Sequence, residues 1–245
     1  MKEHPILFSG EMVNAIIEGR KTQTRRVIRP QPILMESGTW YPSEKPGDAK
    51  NKTGLHYANE KHMRNGMPID FSPFGQPGDR LWVREKWKIS SFMEGEPIEF
   101  QYAADGATAD ENEYSDCIDY EKWYENVCFK STNQLMKMNW PLKNDDGIYS
   151  WERGNSPLPW RPSIYMPRWA SRITLEIINI TLERVWEMSE KDAIAEGLIP
   201  AIAGVDPNYL YRIAYRDFWE QLNSKRGFVW DFNPWVWAIK FNRFI

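Results

Sequence analysis

Lys21 and Thr24 are the pair in this chain whose types and spacing could do chemistry; they stand in the run Gly19-Arg20-Lys21-Thr22-Gln23-Thr24-Arg25-Arg26. A lysine without its proton is a base. A hydroxyl beside it becomes a nucleophile when that base takes its proton. Lysine holds its proton near neutral pH unless burial or cationic neighbours loosen it, and Arg20, Arg25 and Arg26 are such neighbours. Turnover would also need a third group, preferably a carboxylate, to carry protons. The same residues support a second chemistry. From Gly19 to Arg29 there are five cations (Arg20, Lys21, Arg25, Arg26, Arg29) and no acid, on a chain of formal charge -3. A local basic turn with two threonines suits a phosphate backbone. Residue types alone leave the choice open.

The elements that must position this run are legible on either side of it. Pro5 to Ser9 suits a first strand. Ser9 can cap a helix whose Val13, Ile16 and Ile17 share one face, and Gly19 sits where a helix C-terminal glycine belongs. Residues 22–29 follow as a strand stopped by Pro30. Arg80 to Lys86 reads as another, with Leu81 and Val83 on one side and Trp82 and Arg84 on the other; Phe100 to Ala103 is a further short one. The strongest strand alternates Ile173, Leu175 and Ile177, then slips phase to Ile178, Ile180 and Leu182, as a β-bulge would make it do. Ser189 caps a short helix with Asp192 three residues on, closed by Gly197 and Pro200. Asp206-Pro207 opens a second helix, from about Asn208 to Ser224, expected to bury Leu210, Ala214, Phe218 and Leu222. Trp235, Trp237, Ile239 and Phe241 form the inner face of a final strand.

Two stretches interrupt this order. Residues 30–77 are rich in proline and lack periodicity, an irregular insertion with Trp40 and Tyr41 as anchors. Residues 105–167 form a second. It opens with eight acids against Lys122 between Asp105 and Glu125, readable as a solvated loop or helix face, as an acidic flap that shields or mimics the ligand of the basic segment, or as a surface that engages a host protein partner. The expected class is α+β, mainly β: a small bent barrel with flanking helices, in one domain over residues 1–245.

Composition removes several classes. The negative total charge confines any nucleic-acid contact to a patch. Cys117 and Cys128 are too few for a disulfide scaffold or a zinc site, and His4, His56 and His62 suit loop roles better than metal. No Walker or dinucleotide loop occurs, so no cofactor or metal is expected. The N-terminus lacks a signal peptide's apolar run and no stretch has the length of a membrane span, so a cytoplasmic protein without a membrane partner is the expectation. Oligomeric state stays open.

The run Gly19-Arg20-Lys21-Thr22-Gln23-Thr24-Arg25 resembles the signature of the ASCH domain family, which has a PUA-like β-barrel. Gly78-Asp79-Arg80-Leu81-Trp82-Val83-Arg84-Glu85 resembles its Gly-Asp strand, residues 171–197 its strand and short capped helix, and the C-terminal aromatic strand its closing strand. The likeness covers residues 5–29, 78–104 and 168–243. With its long tryptophan-rich insertions the chain is similar to ASCH proteins of bacteriophages and prophages. The resemblance implies a cleft beside the barrel that binds RNA, another nucleic acid or a nucleotide-like ligand, with Arg20, Lys21, Arg25, Arg26 and Arg29 toward phosphate. One branch of the family removes the acetyl group from acetylcytidine with a lysine, a threonine and a glutamate. These match Lys21, Thr24 and, by alignment of the short helix, Glu196. Arg26 and Arg29 exceed what a neutral nucleoside requires. Trp82 and Trp169 are candidates for base stacking.

Overall fold

The computed structural model describes residues 1–29, 31–34, 40–41, 72–92, 98–110, 120–141, 151, 154–199 and 210–244. The chain is a mixed α+β protein. Its elements are β1 (Glu3–Leu7), α1 (Gly10–Ile17), β2 (Gln23–Val27), β3 (Ile33–Leu34), β4 (Trp40–Tyr41), β5 (Arg80–Arg84), β6 (Trp87–Ser91), β7 (Glu99–Tyr102), β8 (Thr108–Asp110), α2 (Tyr120–Lys137), β9 (Thr174–Arg184), α3 (Glu190–Ala195), α4 (Leu210–Asn223) and β10 (Trp235–Phe244). Five strands form one sheet in the order β1-β5-β9-β10-β2. The hairpin β3-β4 and the meander β6-β7-β8 form two more sheets. Among the described residues none of the three sheets closes on itself. No helix among the described residues is long and apolar enough to cross a membrane.

Contacts divide the chain into two compact units. The first is Met1–His4, Ala15–Leu81 and Leu175–Ile245; the second is Pro5–Asn14 and Trp82–Thr174. In the first, β2 pairs antiparallel with β10, setting Arg25 opposite Ala238 and Thr24 opposite Ile239. A core of Val185, Met188, Ala193, Tyr215, Trp219, Trp230 and Val236 lies where α3, α4 and β10 meet. Its rings meet at angles that suit aromatic quadrupoles, as Tyr215 and Trp230 do at 6.2 Å and 66°. In the second unit the inward residues of β6 and β7, among them Trp87, Ile89, Phe100 and Tyr102, make the core with Leu135 of α2. Arg172 ties this unit together. Its guanidinium bonds Glu85 and Asp105 and lies 4.1 Å over the Tyr102 ring.

Several expectations need adjustment. The phase slip in β9 is present, but Ile178 and Asn179 both point out and the buried series resumes at Ile180. In α4 the deeply buried residues are Tyr215 and Trp219, with Leu222 exposed. Tyr215 and Trp219 offer large ring surfaces with a polar atom each, and they take the interior. Residues 120–137, within the expected second insertion, form the long helix α2. Trp123 and Val127 pack on the second unit's core, and Leu135 belongs to it. Trp40 and Tyr41 belong to a paired strand, in register with Leu34 and Ile33. Residues 42–71 with His56 and His62, residues 111–119 with Cys117, and the Asp206-Pro207 cap lie outside the described residues.

Candidate active site: a buried lysine–glutamate pair at the end of a capped helix

Helix α3 begins under strict control. The Ser189 hydroxyl accepts from the Asp192 backbone N–H at 3.1 Å, and the Asp192 carboxylate accepts from the Ser189 N–H at 3.1 Å. This reciprocal capping box fixes the phase of a helix with fewer than two turns. Its other end is where the motif docks. A helix leaves its last carbonyls without intrahelical donors, and here successive motif residues supply them. The Thr22 N–H bonds the Ala195 carbonyl at 2.9 Å, Lys21 Nζ bonds the Glu196 carbonyl at 2.9 Å, and Arg20 donates to the Gly197 carbonyl. Gln23 adds a bond to the Asp192 carbonyl at 3.2 Å.

Gly197 makes this approach possible. Its φ is +84°, and a Cβ there would lie 2.7 Å from Lys21 Cβ and 2.9 Å from Ala15 Cβ. Only glycine tolerates both the conformation and the crowding. The chain turns at once after Glu196, and its side chain is left facing Lys21.

The central contact is Lys21 Nζ to Glu196 Oε2 at 2.6 Å, between residues only 3% and 2% exposed. Burial pushes the Lys21 pKa down. The charge and hydrogen bond of Glu196 oppose that, Arg26 and Arg25 add to it, and the outcome is a lysine below its ordinary value. Arg25 approaches Glu196 from the neighbouring strand, Nη1 to Oε1 at 3.3 Å. The same guanidinium reaches Glu183 at 2.6 Å and Asp192 at 3.6 Å. Burial works against the Arg25 charge, yet Glu196 and Glu183 more than offset it, and its proton is held more tightly than usual. Lys21 and Arg25 thus contact Glu183, Asp192 and Glu196 directly.

Thr24 is 4% exposed, in the middle of β2. Strand alternation puts Thr24 and Arg26 on the face opposite Gln23 and Arg25. Arg26 on that face still feels the Glu196 carboxylate and acts on the Lys21 proton. The remaining expected residues do less. Arg20 is half-buried and forms an ion pair with Glu18 at 2.5 Å. Arg29 is exposed, over the Phe228 ring at 4.8 Å. Trp82 lies in the buried core with Arg84 at 4.5 Å over its ring, and Trp169 packs against Trp123 at 4.7 Å.

Sequence reading missed Glu183, Asp192, Gly197 and Tyr215 as parts of the site. Asp192 and Gly197 were visible only as helix punctuation. Glu183 sits outside the apolar alternation of β9, and Tyr215 was hidden by an apolar series one step away. Burial drives the Tyr215 hydroxyl pKa well up, with Glu196 adding to it, so it stays a neutral donor near the carboxylate. Among the described residues no group of three or more His, Cys, Asp or Glu is placed to hold a metal ion. Comparisons with protein-family models, curated proteins and solved structures yield no significant match.

Proposed function

We propose that the chain is an ASCH-type hydrolase with a PUA-like fold, cleaving the amide of an acylated nucleoside such as acetylcytidine. The observation that carries this is the buried hydrogen bond of 2.6 Å between Lys21 and Glu196, in the motif that also holds Thr24. A buried ammonium and carboxylate in contact share one proton that can move between them, which is what a base and an acid acting in turn require.

In the proposed cycle that proton passes from Lys21 Nζ to Glu196 Oε2. Neutral Lys21 then takes the Thr24 hydroxyl proton as Oγ1 attacks the acyl carbonyl carbon. The carbon–nitrogen bond breaks, and Glu196 gives its proton to the leaving amine of the base. The acyl group remains as an ester on Thr24. Water attacks that ester and yields a proton to Glu196. Lys21 returns its proton to Thr24 Oγ1 as the carboxylic acid departs. Arg25 holds the carboxylate in place through Oε1 without taking part in proton transfer.

The alternative, in which the motif cations grip the phosphates of nucleic acid, draws less support. Lys21, Arg20 and Arg25 spend their charge on Glu196, Glu18, Glu183 and Asp192, so phosphate would have to displace a carboxylate. The test is intact-protein and peptide mass spectrometry after mixing with an acylated cytidine. One acyl group carried on the peptide with Thr24, and absent in Thr24→Ser only if hydrolysis outruns its capture, is expected. An acyl group found on another side chain would reassign the nucleophile.

A further inference from the structure

A group of cations in the second unit, far along the sequence from the motif, has no carboxylate partners. Among the described residues Arg84, Lys86, Lys88 and Arg161 form no ion pair. They gather on aromatic rings instead. Lys88 Nζ lies 4.9 Å and Lys86 Nζ 6.0 Å from the Trp160 ring centroid. Arg161 lies 5.0 Å over Trp87, and its backbone exchanges two hydrogen bonds with Trp87, at 2.7 and 3.2 Å, which fasten this segment to β6. Arg84 holds the next turn through the Ile164 carbonyl at 3.2 Å. Burial loosens the protons of Lys88 and Arg161, with no carboxylate to counter it. The acid between Arg84 and Lys86, Glu85, is consumed by the fork of Arg172 at 2.9 Å on both oxygens.

On this anchored segment two rings face solvent: Trp160 is 38% exposed and Tyr165 is 73% exposed. Five residue-to-residue steps separate them, so their backbones lie within about 17 Å. An acidic peptide would use the cations and leave these rings without a role. A single strand of nucleic acid uses both, with phosphates on the cations and base faces on the rings.

We propose that Trp160, Tyr165 and the cations Arg84, Lys86 and Arg161 form a platform for single-stranded nucleic acid, with the buried Lys88, whose ammonium donates to the Ser156 carbonyl at 2.7 Å, set behind the Trp160 ring. It stands independently of the hydrolase reading, since no residue is shared.

The test is fluorescence anisotropy of the full chain with labelled oligouridylate and oligothymidylate of about twelve nucleotides. Binding at about 50 mM salt is expected, with log affinity falling against log salt at a slope of roughly -2 to -3. Trp160→Ala and Tyr165→Ala should each weaken binding by on the order of tenfold. Lys86→Ala should weaken it and flatten the slope by about 0.7. Tyr165 and Lys86 are exposed, so these changes leave the core intact. A duplex of equal length should bind less tightly, because its bases are already stacked. The ratio between the two oligonucleotides tells whether the sugar is read. No binding at about 50 mM salt would overturn the proposal. So would equal affinity for the duplex, or binding that survives Trp160→Ala, Tyr165→Ala and Lys86→Ala combined.

Discussion

At Glu196 one buried carboxylate meets two cations, so its removal and that of Lys21 have unequal consequences. Glu196→Ala leaves Lys21 with no carboxylate and Arg25 with fewer. The expected loss is roughly 3–5 kcal/mol, as for an uncompensated buried charge. Lys21→Met leaves the carboxylate still bonded to Arg25 and puts an apolar chain where the stem was, so the loss should be smaller, about 1–3 kcal/mol. Chemical denaturation of both variants measures the difference, and equal losses would mean that Arg25 does not share the charge. Catalysis has its own residue-level signature. Lys21 works only when neutral, and its pKa lies below the ordinary lysine value of 10.5. Glu196 must still receive the pair's single proton to give it to the amine, so the rate should fall with pH along a basic limb whose midpoint lies below that value, and Lys21→Arg should abolish turnover because guanidinium does not surrender its proton. For stability the sign is the reverse: between the folded and unfolded values the unfolded chain binds the extra proton, so this group adds stability as pH rises through that window.

At the scale of elements, the pair exists because a helix shorter than two turns is held at both ends. Ser189→Ala removes the cap and should cost about 1 kcal/mol. Gly197→Ala forces a Cβ into Lys21 Cβ and Ala15 Cβ at a left-handed φ, and should cost about 1–3 kcal/mol. The second change also shifts Lys21 against Glu196. Its kcat should fall by more than the stability loss explains, while the Ser189→Ala enzyme that remains folded keeps its kcat. Steady-state kinetics beside a melting curve separates the two. These ends were legible early, since serine, aspartate and glycine at those spacings state a cap and a stop. The hand-over of carbonyls from α3 to residues 20–23 was not, because main-chain acceptors carry no signature in side-chain types. Helix α4 shows a different limit. Apolar spacing alone counts tyrosine and tryptophan as weak members of a face, yet Tyr215 and Trp219 bury the most. Helix α2 was hidden by its acidic N-terminal neighbourhood, while its buried stripe of Trp123, Val127 and Leu135 comes from spacing that an acid count does not see.

Over the whole molecule, charge is distributed against the sequence's first impression. The basic run at residues 20–29 has its buried cations matched by carboxylates from β9 and α3 and spends little of its charge on solvent. The cations gathered on aromatic rings in the second unit are scattered between residues 84 and 161, where no run draws attention to them. A run of cations is visible along the chain, but the carboxylates that cancel it, Glu183, Asp192 and Glu196, arrive only through the fold. One consequence is measurable. Turnover of an uncharged acylated nucleoside should change little between about 50 and 200 mM salt, because the pair that does the work is buried and poorly screened. Binding of a single strand should fall steeply over the same range. Parallel salt titrations of the two readouts check this, and a steep salt dependence of nucleoside turnover would place the chemistry on exposed charge instead.

The most direct measurement is release of acetate from acetylcytidine by the purified full chain and by Thr24→Ala, each with its circular dichroism recorded. If Lys21, Thr24 and Glu196 act together, the parent protein turns the nucleoside over, and Thr24→Ala keeps the fold and loses turnover by a factor of about a thousand or more. A folded parent protein that leaves acylated nucleosides intact, or a Thr24→Ala variant that cleaves them at the parent rate, would contradict it.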